Sequence, residues 1–193
     1  IPGLKAGGVN DVLVKPYDLT LTDFKTIATS VRGFLPDLII LSGFQENLVA
    51  MIRDFQTQHL IKEGNTLVSY DSIDAASLLP NEMLEGLLVT TPSFMLDGDN
   101  SRYGVWKKTF IEHYKKNPNY TNAYAYDLAQ VFSNLAKRLP QHFNNENIVS
   151  LLHETNLTGI TGPLRFDADG DLATPVELGV FRNGNLLRRA TQK

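Results

Sequence analysis

The sequence predicts an α/β fold built on parallel sheet, and three observations predict it. Strand and helix patterns alternate as β-α-β-α-β through the first third of the 193 residues. "DLIILSGF" is a continuous apolar run ending in Ser-Gly, the pattern of a parallel strand covered by helices on both faces. The last segment then changes to short apolar strands joined by Asp169-Gly170 and Asn183-Gly184, both strong hairpin signals.

Taken in order, "VNDVLVKPYD" reads as a strand over about residues 9–15, because β-branched residues and Leu dominate and Pro16 closes it. In "LTDFKTIATSVRGF", Phe24, Ile27, Ala28 and Val31 share one helix face at the i, i+3, i+4, i+7 spacing. Thr22 or Asp23 can cap that helix, and Gly33 and Pro36 stop it. A second helix pattern runs from Asn47 to Leu60 with Leu48, Met51, Ile52 and Phe55 on one stripe, and "NTLVSYD" and "EGLLVTTP" supply further strands. The polar stretch from Ser93 to Ser101 breaks the pattern and reads as a crossover. Helices follow over about residues 102–116, with Trp106, Phe110 and Tyr114 in line, and about residues 122–138, with Leu128, Val131, Phe132 and Leu135. "NENIVSLLHET" is a shorter third. Adjacent Gly7 and Gly8 read as the cap of a helix lying mostly upstream of Ile1, since a phosphate cradle needs its glycines after a strand and before a helix.

Composition removes several classes of function. With 42% hydrophobic and 20% charged residues and a net charge of -3, no basic excess exists to meet a polyanion, so nucleic acid is not expected as a partner. Cysteine is absent, which removes disulfides, thiolate zinc sites and a cysteine nucleophile, and suits a cytoplasmic or a secreted protein equally. The apolar runs are far shorter than the roughly 20 residues that cross a bilayer, so a soluble chain is expected. "IPGLKAGGV" has neither an initiator Met nor the pattern of a signal peptide; any targeting sequence is expected upstream or already removed.

The densest acidic stretch, "TGPLRFDADGDL", places Asp167, Asp169 and Asp171 at positions 1, 3 and 5 of a calcium loop, but Gly170 comes two places early and Leu178 stands where the closing Glu belongs. It reads as a turn. His59, His113, His142 and His153 are scattered without metal spacing, and neither a GxSxG elbow nor a P-loop nor GxGxxG occurs. A non-enzyme without cofactor or metal is therefore expected. In "NYTNAYAYD", Tyr124 or Tyr126 packs in the core, or Tyr120 to Asn122 offer a polar, aromatic lip to a ligand; both readings stand. Parallel sheets hold ligands outside the carboxyl ends of their strands. That rule singles out Ser42, Gly43 and Phe44 after one strand and Ser69, Tyr70 and Asp71 after the next.

Four stretches together resemble the C-terminal part of type I periplasmic solute-binding proteins, the leucine/isoleucine/valine-binding branch that feeds ABC importers. They are "LTDFKTIATSVRGFLPDLIILSGF", "EGLLVTTP", "YTNAYAYDLAQVFSNLAKRL" and, most specific, "LTGITGPLRFDADGDLATPVELGVFRNGN". The resemblance implies three-layer α/β lobes of the type I periplasmic-binding-protein fold, joined by three crossovers around a ligand cleft. On that plan residues 1–91 are the later part of lobe two, residues 92–157 a helical lobe-one segment, and residues 158–193 hairpins returning to lobe two. It also implies a chain incomplete at the N-terminus, whose unpaired sheet edges favour a domain-swapped or edge-paired dimer.

The resemblance further implies an extracytoplasmic receptor that closes by hinge motion on an amino acid or similar small polar ligand and presents itself to a membrane permease. The location implied is periplasmic or extracellular, with any lipid anchor on the missing N-terminal part. Phe44 matches the family's aromatic cleft residue, Asp71 the acidic position that meets a ligand ammonium, and Tyr120 or Thr121 a wall residue from lobe one. Asp71 has a second reading, as a cap for "SIDAASLL". The same fold also serves outer-membrane lipoproteins that regulate cell-wall synthases through protein contacts, which stands as the alternative.

Overall fold

The computed structural model describes residues 2–172 and 174–189. The chain divides into two compact units, Ile1–Thr90 with Leu178–Lys193, and Thr91–Glu177.

The first unit opens with α1 (Pro2–Ala6), which ends where Gly8 turns left-handed at φ 86° and the Val9 N–H bonds back to the Leu4 carbonyl at 3.0 Å. α2 (Lys25–Phe34) starts where Asp23 Oδ1 accepts the Lys25 N–H at 3.0 Å. It runs past Gly33 and stops at Leu35, itself left-handed at φ 54°. There follow β1 (Ile39–Leu41), α3 (Gln45–Thr57), β2 (Thr66–Val68), α4 (Ser72–Ala76), α5 (Asn81–Leu84) and β3 (Leu88–Pro92). The predicted stripe of α3 is the heart of the core: Leu48, Met51, Ile52 and Phe55 are all buried, against Phe24, Ala28, Ile39, Leu41, Val68 and Val89.

β1, β2 and β3 pair in parallel, with Leu41 opposite Val68 and Val68 opposite Val89. Two strands beyond the second unit, β6 (Val176–Arg182) and β7 (Asn185–Arg188), complete the sheet in the order β1-β2-β3-β6-β7. Their hairpin turns at Asn183 and Gly184, both at positive φ (50° and 75°), as a two-residue type I′ turn demands. Arg182 fastens it, reaching Glu63 at 2.5 Å and Glu85 at 3.3 Å.

Two expectations fail here. Residues 9–15 form no strand, because strand propensity expresses packing against a neighbour and none of the described strands lies beside them. β1 is not covered on both faces either: Ile39 and Leu41 are buried, but Ile40 between them is 51% exposed. It sits on the terminal strand of the sheet, where no described helix covers that face.

The second unit begins with a 3-10 turn over Ser93–Leu96 and contains α6 (Arg102–Tyr114), α7 (Tyr120–Arg138), α8 (Asn145–His153) and the short antiparallel pair β4 (Leu157–Thr158) and β5 (Pro163–Leu164). α7 and α8 start with matching boxes, Asn119 with Asn122 and Asn144 with Asn147, each side chain taking the other residue's N–H at 3.0 Å. α7 buries Ala123, Asp127, Val131 and Leu135. Leu128 and Phe132, predicted on that stripe, point outward instead, since the buried line follows strict i, i+4 steps from Ala123. Asp167 accepts the N–H groups of Asp169 and Asp171 at 3.0 and 2.9 Å, so the first aspartate of the acidic stretch is a turn residue. Among the described residues no helix is long and apolar enough to cross a membrane.

Candidate functional site

The carboxyl ends of β1 and β2 bring five of the candidate residues to one edge of the first unit. Ser42, Gly43 and Phe44 form the turn from β1 into α3, and Tyr70 and Asp71 lie between β2 and α4. The two strands are in register there, Leu41 opposite Val68, so their following turns leave the sheet side by side.

Phe44 occupies the residue before α3 with extended backbone (φ -85°, ψ 173°), and its carbonyl accepts the Leu48 N–H at 2.9 Å. That conformation throws the ring off the helix, and the side chain is 60% exposed. Tyr17 reaches this turn from the preceding connection, its hydroxyl donating to the Ser42 carbonyl at 2.7 Å. Gln45 links the site's two halves, its Nε2 donating to the Asp74 carbonyl at 3.3 Å.

Asp71 stands at the N-terminal position of α4 in helical conformation (φ -60°, ψ -20°), and its side chain makes no capping hydrogen bond. The capping reading of this residue is therefore not what its geometry serves; a cap requires an extended backbone that turns the carboxylate back on the helix. Tyr70 is partly exposed beside it. Ser69 and Ser72 flank the pair, and both hydroxyl oxygens are buried with no hydrogen-bond partner among the described residues. Nothing in the sequence marked Ser72, since an unsatisfied hydroxyl is a property of packing rather than of residue type.

Tyr120 and Thr121 belong to the second unit, in the first turn of α7. Thr121 is exposed. Tyr120 is half-buried, edge-on to Tyr124 at 6.4 Å, in a cluster with Phe94, Tyr103 and Ala123. Tyr124 packs against Phe94 at 5.6 Å, whereas Tyr126 is exposed, so of the two alternatives for a core tyrosine it is Tyr124 that packs inward. Trp106, Phe110, Tyr114 and Tyr126 line an open groove of about 940 Å³ in this unit. Among the described residues no group of three His, Asp or Glu side chains could hold a metal ion.

The strongest polar construction of the second unit went unread in the sequence. Asp127, 2% exposed, accepts the N–H of Ile160 at 2.9 Å, the N–H and hydroxyl of Thr161 at 2.8 and 2.7 Å, and Gln130 Nε2 at 2.8 Å. Gly159 lies against the same carboxylate, where any Cβ would collide with it. The "GITG" turn between β4 and β5 is thus moulded on an aspartate more than thirty residues away in sequence.

Comparison with known proteins follows the same lines. The chain is 26% identical over 185 residues to the Leu/Ile/Val/Thr-binding protein of Salmonella typhimurium, covering 93% of this chain and 47% of that protein. It therefore spans about half the length of the curated relatives it matches. Its fold is like that of the leucine-binding protein LivK of Thermotoga maritima, with a TM-score of 0.74 at 23% identity over 89% of this chain and 49% of that one. It is also like LivJ of Streptococcus pneumoniae in complex with isoleucine, with a TM-score of 0.72 at 17% identity over 88% and 48% of the two chains. The family model for periplasmic binding proteins matches residues 3–185, and the chain belongs to that family.

Proposed function

We propose that the protein is the ligand-capturing receptor of an ABC importer, taking an amino acid or similar small polar ligand at the carboxyl ends of β1 and β2. What carries the reading is the pairing of an exposed aromatic ring, Phe44, with a carboxylate, Asp71, at the ends of two adjacent parallel strands. A carboxylate there pairs with a ligand ammonium, an aromatic ring covers the ligand's apolar part, and the Ser42–Gly43 and Tyr70 backbone frame them. The family supports a receptor that binds solutes rather than transforming them, and implies a periplasmic or extracellular location.

Tyr120 and Thr121 enter the proposal through the resemblance alone, as do hinge closure in the whole protein and the permease that would receive the ligand. The domain-swapped or edge-paired dimer also enters through the resemblance; among the described strands β1 ends the sheet, and its outer backbone edge is where such pairing would take place. Sedimentation at rising concentration tests it, and a constant monomer removes it.

The test of function is a thermal-shift scan of the intact protein against amino acids and small polar solutes. Stabilisation that grows with ligand concentration is the expected result. A flat response across the panel overturns the reading in favour of a regulator acting through protein contacts. In a responding protein Asp71→Ala should weaken binding at least about a hundredfold, because removing one partner of a desolvated pair costs about 3–5 kcal/mol. Unchanged affinity takes Asp71 out of the site.

A further inference from the structure

Gly43 raises a question that its backbone does not answer. Its φ is not positive, so no left-handed turn requires glycine there. Space does: a Cβ on residue 43 would run into the Tyr17 hydroxyl, while its next neighbours, Met51 Cε and Asn47 Cβ, would lie at 3.1 and 3.2 Å. The same hydroxyl donates to the Ser42 carbonyl at 2.7 Å. One tyrosine oxygen thus both holds the first residue of the turn and fills the space above the second.

Tyr17 is itself held. Its ring meets Phe24 edge-on at 5.0 Å, and Phe24 is wholly buried with its N–H on Asp54 Oδ2 at 2.6 Å. The chain just after it is pinned by Asn47, whose Nδ2 donates to the Leu19 and Leu21 carbonyls at 3.0 and 3.2 Å. Asn47 lies in the first turn of α3 and is buried. The segment from Tyr17 to Leu21 and the start of α3 are therefore fastened to each other on both sides of the Ser42–Phe44 turn. Burial also pushes the Tyr17 hydroxyl up, which keeps it a donor through neutral and mildly alkaline pH.

We infer that Tyr17 is a positioning residue: its hydroxyl braces the Ser42–Gly43 backbone and so sets where Phe44 is presented to the ligand. This rests on the proposed site at Phe44 and adds to it a residue outside that site. Tyr17 needs no contact with the ligand. Its effect passes through one hydrogen bond and one steric contact, both removable by taking away a single oxygen.

The experiment is a double-mutant cycle on the intact protein with Tyr17→Phe, Gly43→Ala and the pair, read in two ways. Urea unfolding reports the brace without any ligand, and the L-leucine dissociation constant, measured where all four proteins are folded, reports positioning. Tyr17→Phe should weaken leucine binding about fivefold, the worth of one hydrogen bond. Gly43→Ala should weaken it about tenfold or more in the parent and by a clearly smaller factor in the Tyr17→Phe background, because the colliding oxygen is gone and only the tight contacts with Met51 Cε and Asn47 Cβ remain. Rescue of Gly43→Ala in both readouts supports the inference. Additive effects in unfolding overturn the brace, and rescue in unfolding with unchanged leucine affinity in Tyr17→Phe overturns the positioning role. A parent protein that binds no amino acid overturns the functional reading and the positioning role with it, while the unfolding cycle still decides the brace.

Discussion

In the first unit the side chains at the centre, Leu48, Ile52 and Phe55 with Val68 and Val89, are apolar and come from helix and parallel sheet packed in layers. In the second, a carboxylate sits at the centre: Asp127 takes four hydrogen bonds and stands between an aromatic cluster around Phe94 and an aliphatic one around Val131 and Leu164 in the chain's packing. The first arrangement is non-directional and follows from apolar periodicity. The second is directional and follows from which backbone groups a loop leaves unpaired. Two units of one chain therefore fail by different routes.

The largest effect should come from the first route. Phe55→Ala removes a fully packed ring and should cost about 4 kcal/mol in urea unfolding, while Phe132→Ala on an exposed face of α7 should cost less than about 0.5 kcal/mol. If the two losses were equal, the burial assigned to these faces would be wrong. Next, Asp127→Ala should cost about 3 kcal/mol, because the buried N–H of Thr161 and the partly buried N–H of Ile160 lose their acceptor. Amide exchange should then accelerate at those two residues and leave β1 and β2 unchanged. A loss spread evenly over both units would break the contrast. Asn119→Ala removes one half of a capping box and should cost about 1 kcal/mol.

The smallest effect concerns pH. Hydrogen bonds from the Thr20 hydroxyl and N–H hold the Asp18 carboxyl below its ordinary value of 3.8, and the Lys25 N–H and ammonium do the same for Asp23. A carboxyl lowered by folding contributes stability that is present above its unfolded value and lost as pH falls through its folded one. Asp18→Asn should therefore lower stability by a small, constant amount from about pH 4 upward, pH 7 included, and the difference from the parent should vanish as pH falls below the carboxyl's folded value. A difference that changed with pH around neutrality, or that persisted in strong acid, would contradict the assignment.

How much was legible follows from the same contrast. The α3 stripe and the hairpin at Asn183-Gly184 were readable because each depends on residues a few places apart. The strand ends that carry Phe44 and Asp71 were readable because a parallel sheet exposes its carboxyl ends by topology. The predicted strand over residues 9–15 misled because its composition describes a willingness to pair, and the partner is a matter of the sheet. Leu128 and Phe132 misled because α7 is apolar around much of its circumference, so periodicity alone could not choose the buried line.

The amino-acid order by itself determined the alternation of helix and strand, the turn types and the edge at which the candidate site lies, since these arise from local sterics and short periodicities. Only the tertiary structure decided that Asp127 would shape the turn at Gly159, that Tyr17 would occupy the space above Gly43, and that Ile40 would stay exposed. Each of those depends on groups brought together from distant parts of the chain, where a hydrogen bond or a contact of a few ångströms is set by packing and leaves no mark in the neighbouring residues.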